Sequence, residues 1–296
     1  MTGCLSHQRH AFLETIAQVQ NDLGLVYYGQ RRFELDAKTF HNSISTYSQI
    51  PGGFKNSSTD TLMCIIFNHG NACRMMQDLK TAEAAFTRIY EFFDRKRRNH
   101  NVQLPPWAEI IVSRILNALG ELCLERNEAE IAMAKFKDAL STQENYLVNS
   151  HPIILSTKLN LGRAYTALES YSEAREILQD LMQKYAEQWG ADHEAVATVA
   201  DELARASMGY GQMMRESLSS DNTGLEAFKE AERLWLDNLS FYGERYGAES
   251  EDALRTKSNI ALLQSVTGEV SMARRNMLQV FQRSTTRRRR SKHNAT

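Results

Sequence analysis

The chain has 296 residues, of which 42% are hydrophobic and 24% are charged, with a formal net charge of -1. This composition is typical of a globular protein with a sizeable core, and no apolar run has the length of a membrane-spanning helix. The first residues lack the apolar stretch of a secretory signal, so we expect a cytoplasmic or nuclear protein with no membrane contact. The four cysteines, Cys4, Cys64, Cys73 and Cys123, show no paired spacing, which predicts buried thiols and neither disulfides nor a metal site.

A pattern of small and large apolar residues recurs along the chain. In the clearest copy, Gly162 is followed by Tyr165, by the small residue Ala174 twelve positions later, and by Leu178. A small residue at both places lets two helices cross closely, which predicts a helical hairpin for each copy. In chain order the six copies are placed by the residue at the glycine position: Gly24, Gly70, Gly120, Gly162, Ala204 and Ala261.

Three segments interrupt the pattern. Residues 51–58 and 99–106 contain all but one of the four prolines and read as loops between hairpins. Residues 208–224 are rich in glycine and serine and predict an insertion that lengthens the turn of the fifth hairpin. Residues 287–296 lose all apolar periodicity and read as a disordered basic tail.

The leucine–glycine step with its tyrosine, alanine and large apolar residue resembles the tetratricopeptide repeat. The glycine positions 120, 162 and 204 are 42 residues apart, and this spacing resembles that of kinesin light chain repeats. The linker residues Trp189, Gly190, Asp192 and His193 match the same family, and a looser copy begins at Tyr246. The first copy departs from the pattern at Asp36, which stands where a small core residue is expected.

This resemblance implies an all-α fold, a right-handed α-solenoid of about six tetratricopeptide-like hairpins. The expected organisation is an N-terminal extension over residues 1–11, the helical repeat domain over 12–286 with its insertion near 208–224, and the basic tail over 287–296.

Catalytic motifs are lacking in the sequence. His193 and Glu194 begin an H-E-x-x-H motif, but residue 197 is alanine, so the second zinc ligand is missing. No glycine-rich phosphate loop and no G-x-S-x-G nucleophile motif occurs. The sequence therefore predicts a protein that is not an enzyme and that needs neither a cofactor nor a metal.

In tetratricopeptide arrays the first helix of each hairpin lines a concave groove, and the family's groove positions can be carried over to this chain. Asparagine there can hold a peptide backbone, because its amide both donates and accepts hydrogen bonds, and arginine suits acidic side chains. The expected function is an adaptor or scaffold that binds short, acidic segments of partner proteins. The transfer gives a peptide-binding groove of Asn68, Asn71, Arg74, Arg114, Asn117, Asn160, Arg163, Arg205 and Asn259, and it also places Glu121, Glu125 and Arg255 on the same surface. Solvated polar residues with no ligand are the alternative.

The basic tail allows three interpretations. It is a nuclear import signal, a weak contact to nucleic acid, or a solvated terminus attracted to the acidic remainder of the chain. The import interpretation supports a second possible function, a regulatory or sensor module of a nuclear complex associated with transcription. Its candidate residues are Arg287, Arg288, Arg289, Arg290 and Lys292.

Overall fold

The computed structural model describes residues 2–50, 59–100, 103–217 and 222–293, and all regular structure within them is α-helical. The chain divides into two compact units, Met1–Val148 and Asn149–Thr296, called unit 1 and unit 2 below. The helices of unit 1 are α1 (Thr2–Gly29), α2 (Phe33–Ser48), α3 (Thr59–Met75), α4 (Leu79–His100), α5 (Pro106–Glu125) and α6 (Ala129–Glu144). Those of unit 2 are α7 (Pro152–Ala167), α8 (Tyr171–Trp189), α9 (Glu194–Glu216), α10 (Thr223–Tyr246), α11 (Glu251–Thr267) and α12 (Val270–His293).

Glycine sets the crossing of the two helices in the first four hairpins. A Cβ atom added to Gly24, Gly70 or Gly120 would lie 2.5 to 2.7 Å from the ring of Phe40, Phe86 or Phe136. At Gly162 the same atom would lie 2.7 Å from a methyl carbon of Leu178. These rings and the leucine side chain are fully buried. The hairpins predicted from the spacing of small and large residues are therefore confirmed.

The turn inside five of the hairpins is a Schellman motif, in which one residue takes the left-handed conformation and the next donates a hydrogen bond back across the helix end. The donating amides of Arg32, Asp78, Glu128, Ser170 and Glu269 reach the carbonyls of Tyr27, Cys73, Cys123, Tyr165 and Gln264 at 2.7 to 3.0 Å. The left-handed residues are Arg31, Gln77, Asn127, Glu169 and Gly268. The tyrosine-or-cysteine position of the repeat thus supplies the carbonyl that closes each turn.

The left-handed residues of these turns lead to a prediction about stability. Glu169 holds φ at +59°, where a side chain crowds the following carbonyl and glycine does not. We expect Glu169→Gly to raise the free energy of unfolding by about 1 kcal/mol. Urea unfolding of the full chain measures this change. The matched control is Gly268→Ala, at φ +95°, which should lower stability, and a loss of stability in Glu169→Gly would contradict the assignment.

The linker residues of the family resemblance act as helix caps. The Nδ1 atoms of His151 and His193 accept hydrogen bonds from the backbone amides of Ile153 and Ala195, at 3.2 and 3.1 Å. Ser250 does the same for Ala253 at the start of α11. Each cap satisfies an amide that has no partner inside the helix. Gly190 precedes the second cap at φ +88° and ψ 154°, a conformation open to glycine alone.

The predicted insertion over residues 208–224 is wrong for most of its length. Helix α9 continues to Glu216 and α10 begins at Thr223, so the extra residues lengthen two helices. The glycines that suggested a turn serve close packing: a Cβ atom on Gly211 would lie 2.8 Å from the ring of Phe228 and 2.9 Å from the carbonyl oxygen of Gly224. Glycine inside a helix is accepted where another backbone comes this near.

Both ends of the chain differ from the expected organisation. Residues 2–11 belong to α1 and form no separate extension. Residues 287–293 continue α12, where we predicted a disordered tail, and residues 294–296 lie outside the described part. Arginine and lysine have high helix propensity, so a basic run can prolong a helix without any apolar periodicity. The predicted loop at 51–58 also lies outside the described residues, and of the loop predicted at 99–106 residues 99 and 100 end α4.

Candidate functional site

The predicted groove residues lie on the first helices of the hairpins, and the surface these helices present in each unit is called its first-helix face. In unit 1 it is formed by α1, α3 and α5, and in unit 2 by α7, α9 and α11. Consecutive first helices within a unit are neighbours in space. Polar side chains at equivalent positions can therefore bridge from one helix to the next.

In unit 1 the predicted residues connect all three first helices. The side-chain amide of Asn68 on α3 donates to Oδ1 of Asn21 on α1 at 3.0 Å. Arg74, also on α3, forms ion pairs of 2.9 and 3.1 Å with Glu121 and Glu125 on α5. Burial opposes the charge of Arg74, but the two carboxylates raise its pKa above the ordinary value. Arg74 therefore stays charged and links α3 to α5 through these two ion pairs.

The other predicted groove residues of unit 1 lie near Arg74. The guanidinium of Arg114 on α5 stacks 4.6 Å from the ring centre of Phe67 on α3, a cation–π contact. The amide of Asn117 approaches Glu121 on the same helix at 3.4 Å. Asn71 is half-buried on α3. The first-helix face of unit 1 thus carries two carboxylates, of Glu121 and Glu125, beside the guanidinium groups of Arg74 and Arg114.

In unit 2 the predicted residues belong to one hydrogen-bonded network centred on Asp201 and Glu202 of α9. Arg163 on α7 pairs with Glu202 at 2.7 Å, and its guanidinium also donates to Oδ1 of Asn160 at 3.2 Å. Arg205 reaches Asp201 at 2.6 Å and Glu202 at 3.4 Å. The network spans α7 and α9 through two arginines and two carboxylates.

The same network extends to α11 and to α10, the second helix of the hairpin that α9 begins. Asp201 accepts hydrogen bonds from the side chain of Asn259 on α11 at 2.9 Å and from the indole N–H of Trp235 on α10 at 2.8 Å. Trp235 is almost completely buried. The network therefore brings together the predicted residues Asn160, Arg163, Arg205 and Asn259. Within it, the buried carboxylate of Asp201 links α9 to α10 and α11.

Burial changes the role of one predicted residue. Asn160 is only 2% exposed, so the assumption that it faces a bound peptide is wrong. The side chains of Arg163, Arg205 and Arg255 remain 36%, 43% and 51% exposed. These arginines form the accessible part of the unit 2 network.

The two carboxylates on which this network depends were not among the residues predicted from the sequence. Asp201 and Glu202 are 5% and 8% exposed and follow the run of small residues that ends at Ala200. Two adjacent acidic residues inside an otherwise apolar helix were the available signal, because a buried carboxylate requires partners. Their charges balance those of Arg163 and Arg205, so this part of the face carries no net charge.

A concavity of unit 2 lies on the side of the second helices. It is a cleft of about 1010 Å³ between α8 and α10. Val196 and Ala200 of α9 line it together with Leu234 and Phe241, while charged residues such as Arg233 and Glu244 also border it. No predicted site residue borders this cleft.

The thiols of Cys73 and Cys123 are poorly suited to chemistry, because burial raises the pKa of both. Cys73 and Cys123 are buried as expected, whereas Cys64 is exposed, which corrects the prediction for that residue. Burial raises the pKa of Cys73 to about 11, assisted by Asp78 and Asp36. Such thiols stay protonated at neutral pH and are weak nucleophiles. Among the described residues no three His, Cys, Asp or Glu side chains form a possible metal site, and none of the helices has the length and apolar character to cross a membrane.

A family model described as tetratricopeptide repeat matches residues 154–195. The match covers the hairpin of α7 and α8 with the linker to α9, and its 42 residues equal the spacing found in the sequence. In sequence, no curated protein matches the chain.

Several solved structures have folds similar to that of this chain. BtubC (BKLC) from P. vanneervenii is 13% identical with a TM-score of 0.59, over 86% of this chain and 92% of that one. The apo form of RapI is 11% identical with a TM-score of 0.59, over 91% and 99%. A Podosopora anserina putative kinesin light chain with nearly identical TPR-like repeats is 16% identical with a TM-score of 0.46, over 94% and 98%. At these identities the likeness concerns the fold alone.

Helical repeat folds of this class generally mediate interactions between proteins, because stacked hairpins expose extended surfaces. The all-α fold class predicted from the sequence is confirmed by the twelve helices of the described residues and by the fold of BtubC and RapI. The described chain is therefore an array of helical hairpins, and the hairpin of α7 and α8 matches the tetratricopeptide repeat model.

Proposed function

We propose that the chain is a non-enzymatic adaptor whose first-helix face in unit 2 binds an extended segment of a partner protein. The supporting observation is the row of half-exposed arginines, Arg163, Arg205 and Arg255, on three consecutive first helices. The buried carboxylates of Asp201 and Glu202 hold Arg163 and Arg205 in place, so these two side chains lose less conformational entropy when a ligand binds. The outer N–H groups of the guanidinium groups are suited to the carbonyl oxygens of an extended backbone.

The charge balance of the network refines the expected ligand. Arg163 and Arg205 are neutralised by Asp201 and Glu202, and Arg255 pairs with Asp252 at 3.1 Å. A strongly acidic segment would have to compete with these carboxylates. We therefore favour a segment that is bound mainly through its backbone, and we expect its affinity to depend only weakly on salt.

The experiment compares two charge-matched double variants of the full chain. Arg205→Ala with Arg255→Ala removes two cations from the first-helix face. Lys229→Ala with Arg233→Ala removes two exposed cations from α10, one of which borders the cleft. Partners are captured with each protein and quantified by mass spectrometry against the wild type. We expect the first variant to lose at least about tenfold in partner recovery, since one hydrogen bond to a charged group contributes about 1.5–3 kcal/mol.

Thermal unfolding of both variants is the accompanying measurement. Asp201 keeps Trp235 and Asn259 as partners in the first variant, and Glu202 keeps Arg163, so we expect a folded protein. Arg205→Lys should restore part of the recovery, because a positive charge remains beside Asp201. If recovery falls for the α10 variant and not for the Arg205/Arg255 variant, partners bind at the cleft and the proposal is wrong.

A further inference from the structure

One side of α1 exposes apolar residues at positions that are buried in other first helices. Counting from the glycine position of the repeat, Val19 lies five residues before it and Val26 two residues after it. These side chains are 61% and 54% exposed. Their counterparts in α3, α5, α9 and α11 are at most 3% exposed; they are Ile65 and Ala72, Ile115 and Leu122, Val199 and Ala206, and Thr256 and Leu263. The same two positions are therefore open in α1 and closed in four other first helices.

The second helix of the preceding hairpin covers this side of the other first helices. Ala72 of α3, the counterpart of Val26, forms a buried cluster with Ala37 and Phe40 of α2. Ala253, eight residues before the glycine position of α11, forms one with Tyr242 of α10. Each of α3, α5, α9 and α11 contacts the second helix before it, whereas among the described helices α1 contacts α2, of its own hairpin, and α3.

The second helix of the same hairpin meets a different side. A Cβ atom added to Gly24 would lie against Phe40 of α2, and Val26 lies two residues further along, about 200° around the helix axis at 3.6 residues per turn. Leu122 of α5, the counterpart of Val26, belongs to a core cluster with Phe86 of α4 and with no residue of α6, all of which is described. The exposed side of α1 therefore corresponds to the side on which a neighbouring hairpin packs.

The apolar residues on this side of α1 are spaced four, three, four and three residues apart. This is the spacing of the a and d positions of a coiled coil, through which one helix packs along another. One of the five residues is half-buried, and the other four are at least 44% exposed. We call this surface the α1 seam; it consists of Phe12, Ile16, Val19, Leu23 and Val26. Its pattern indicates that the occupant is an α-helix.

The surroundings of the α1 seam carry little charge. Between Phe12 and Gly29 the only charged residues are Glu14 and Asp22, and this segment contains neither lysine nor arginine. Asp22 already accepts a hydrogen bond from Gln18 at 3.0 Å. A highly charged helix would find at most these two carboxylates as partners, whereas an apolar helix with uncharged flanks fits the seam. A second copy of α1 has this composition.

We propose that two copies of the chain pair through their α1 seams, as antiparallel helices about a two-fold axis near Val19. A two-fold interface uses the same surface twice, so that surface must be complementary to itself. In the antiparallel arrangement Phe12 packs opposite Val26 of the second copy, a large side chain against a smaller one. Ile16 packs opposite Leu23 of the second copy, and the two Val19 side chains meet at the axis.

Charge favours this orientation over a parallel one. In the antiparallel pair the two Asp22 residues lie about 9 Å apart along the axis, whereas a parallel pair would place them side by side. The seam is short compared with the interfaces of permanent dimers, so we expect a reversible dimer with a dissociation constant in the micromolar range. The α1 seam belongs to unit 1 and the proposed ligand surface to unit 2, so either proposal stands without the other.

Sedimentation velocity of the full chain, from about 1 to about 100 μM, measures the proportion of dimer. We expect this proportion to rise with concentration and to fall again on dilution. Since the seam contains no charged side chain, added salt should change the dissociation constant by less than about twofold.

Two leucine variants of α1 locate the interface. Leu23→Glu and Leu25→Glu introduce the same charge at residues that are 44% and 47% exposed. Leu23 lies in the seam, whereas Leu25, two residues further along, lies on another side of the helix. Leu23→Glu should weaken dimerisation at least about tenfold, because it places a charge in an apolar interface. Leu25→Glu should dimerise as the wild type does.

Hydrogen exchange of the wild type provides a measurement that needs no variant. At the higher protein concentration we expect exchange to slow over residues 12–26. The proposal is overturned if the chain stays a monomer throughout the concentration range, which would leave the α1 seam to a helix of another protein. It is also overturned if Leu25→Glu weakens the dimer and Leu23→Glu does not, or if exchange slows elsewhere and not in α1.

Discussion

Replacing Asp36 by alanine is expected to raise the free energy of unfolding by about 3 kcal/mol at pH 8 and to change it little at pH 4. Asp36 is fully buried, and neither carboxylate oxygen has a hydrogen-bond partner in the described part of the chain. Burial raises its pKa from 3.8 to about 6, while the backbone of Ala37 acts in the opposite direction. The next three hairpins have Ala82, Ala132 and Ala174 at this position, so alanine fits the packing.

The direction of the pH dependence follows from the two pKa values. The folded chain holds the proton of Asp36 up to about pH 6, whereas the unfolded chain releases it near pH 3.8. The part of the wild-type stability that depends on the Asp36 proton is therefore fully present below pH 3.8 and is lost as the pH rises through about 6. Tyr28 of α1 and Cys73 of α3 face the carboxyl group, and burial raises the pKa of both, so they stay neutral in this range.

Urea unfolding at pH 4, 6 and 8 measures the free energy of unfolding of the variant and of the wild type. The contributions of the other titrating groups cancel in the difference between the two. The control is Asp78→Ala. Asp78 is exposed and accepts a hydrogen bond from the amide of Thr81 at 3.2 Å, and hydrogen bonds from Thr81 lower its pKa. Asp78→Ala should therefore lower the free energy of unfolding at high pH, whereas Asp36→Ala should raise it. A difference for Asp36→Ala that stays constant from pH 4 to 8 would contradict a buried, uncompensated carboxylate.

Gly120→Ala should lower the free energy of unfolding by about 1–3 kcal/mol, although alanine is the better helix former. The added Cβ atom would lie 2.5 Å from the ring of Phe136, which is fully buried and cannot turn away into solvent. Either the ring or the helix must move. Thermal unfolding of the full chain records the loss.

Two further variants show whether the close approach is the cause. Gly243 lies inside α10 with nothing within 4 Å of its added Cβ atom, so Gly243→Ala should raise stability by about 0.5–1 kcal/mol. Combining Gly120→Ala with Phe136→Leu reproduces the smaller partner that Gly162 has in Leu178, and should cost less than the sum of the single changes. If both glycine variants shift stability in the same direction, the crossing is misplaced.

The spacing of small and large residues was sufficient to predict the hairpins. Gly162, Ala174 and Leu178 lie within sixteen residues of one another, and their contact is a local property of one hairpin. The linker histidines His151 and His193 could likewise be placed at helix starts, because a cap acts within two residues of itself. Such features recur along the chain, so one clear copy identifies weaker ones.

The same local rules misled in the fifth hairpin. Glycine and serine between residues 208 and 224 predicted a loop, yet Gly211 lies inside α9 because Phe228 and Gly224 of α10 pack against it. Whether a glycine ends a helix or admits a neighbour depends on what lies opposite. That information comes from a second helix and cannot be read from the segment itself.

The sequence by itself determined the hairpins, their order and the set of polar residues on the first helices, since each depends on spacing along one or two helices. Only the tertiary structure decided which of those residues a ligand can reach. Asn160 is 2% exposed and accepts a hydrogen bond from Arg163, which in turn pairs with Glu202, 39 residues further along the chain. Asp201 draws Asn259 and Trp235 from two other helices. Burial and charge balance are sums over such distant neighbours, and these are fixed only when the helices pack.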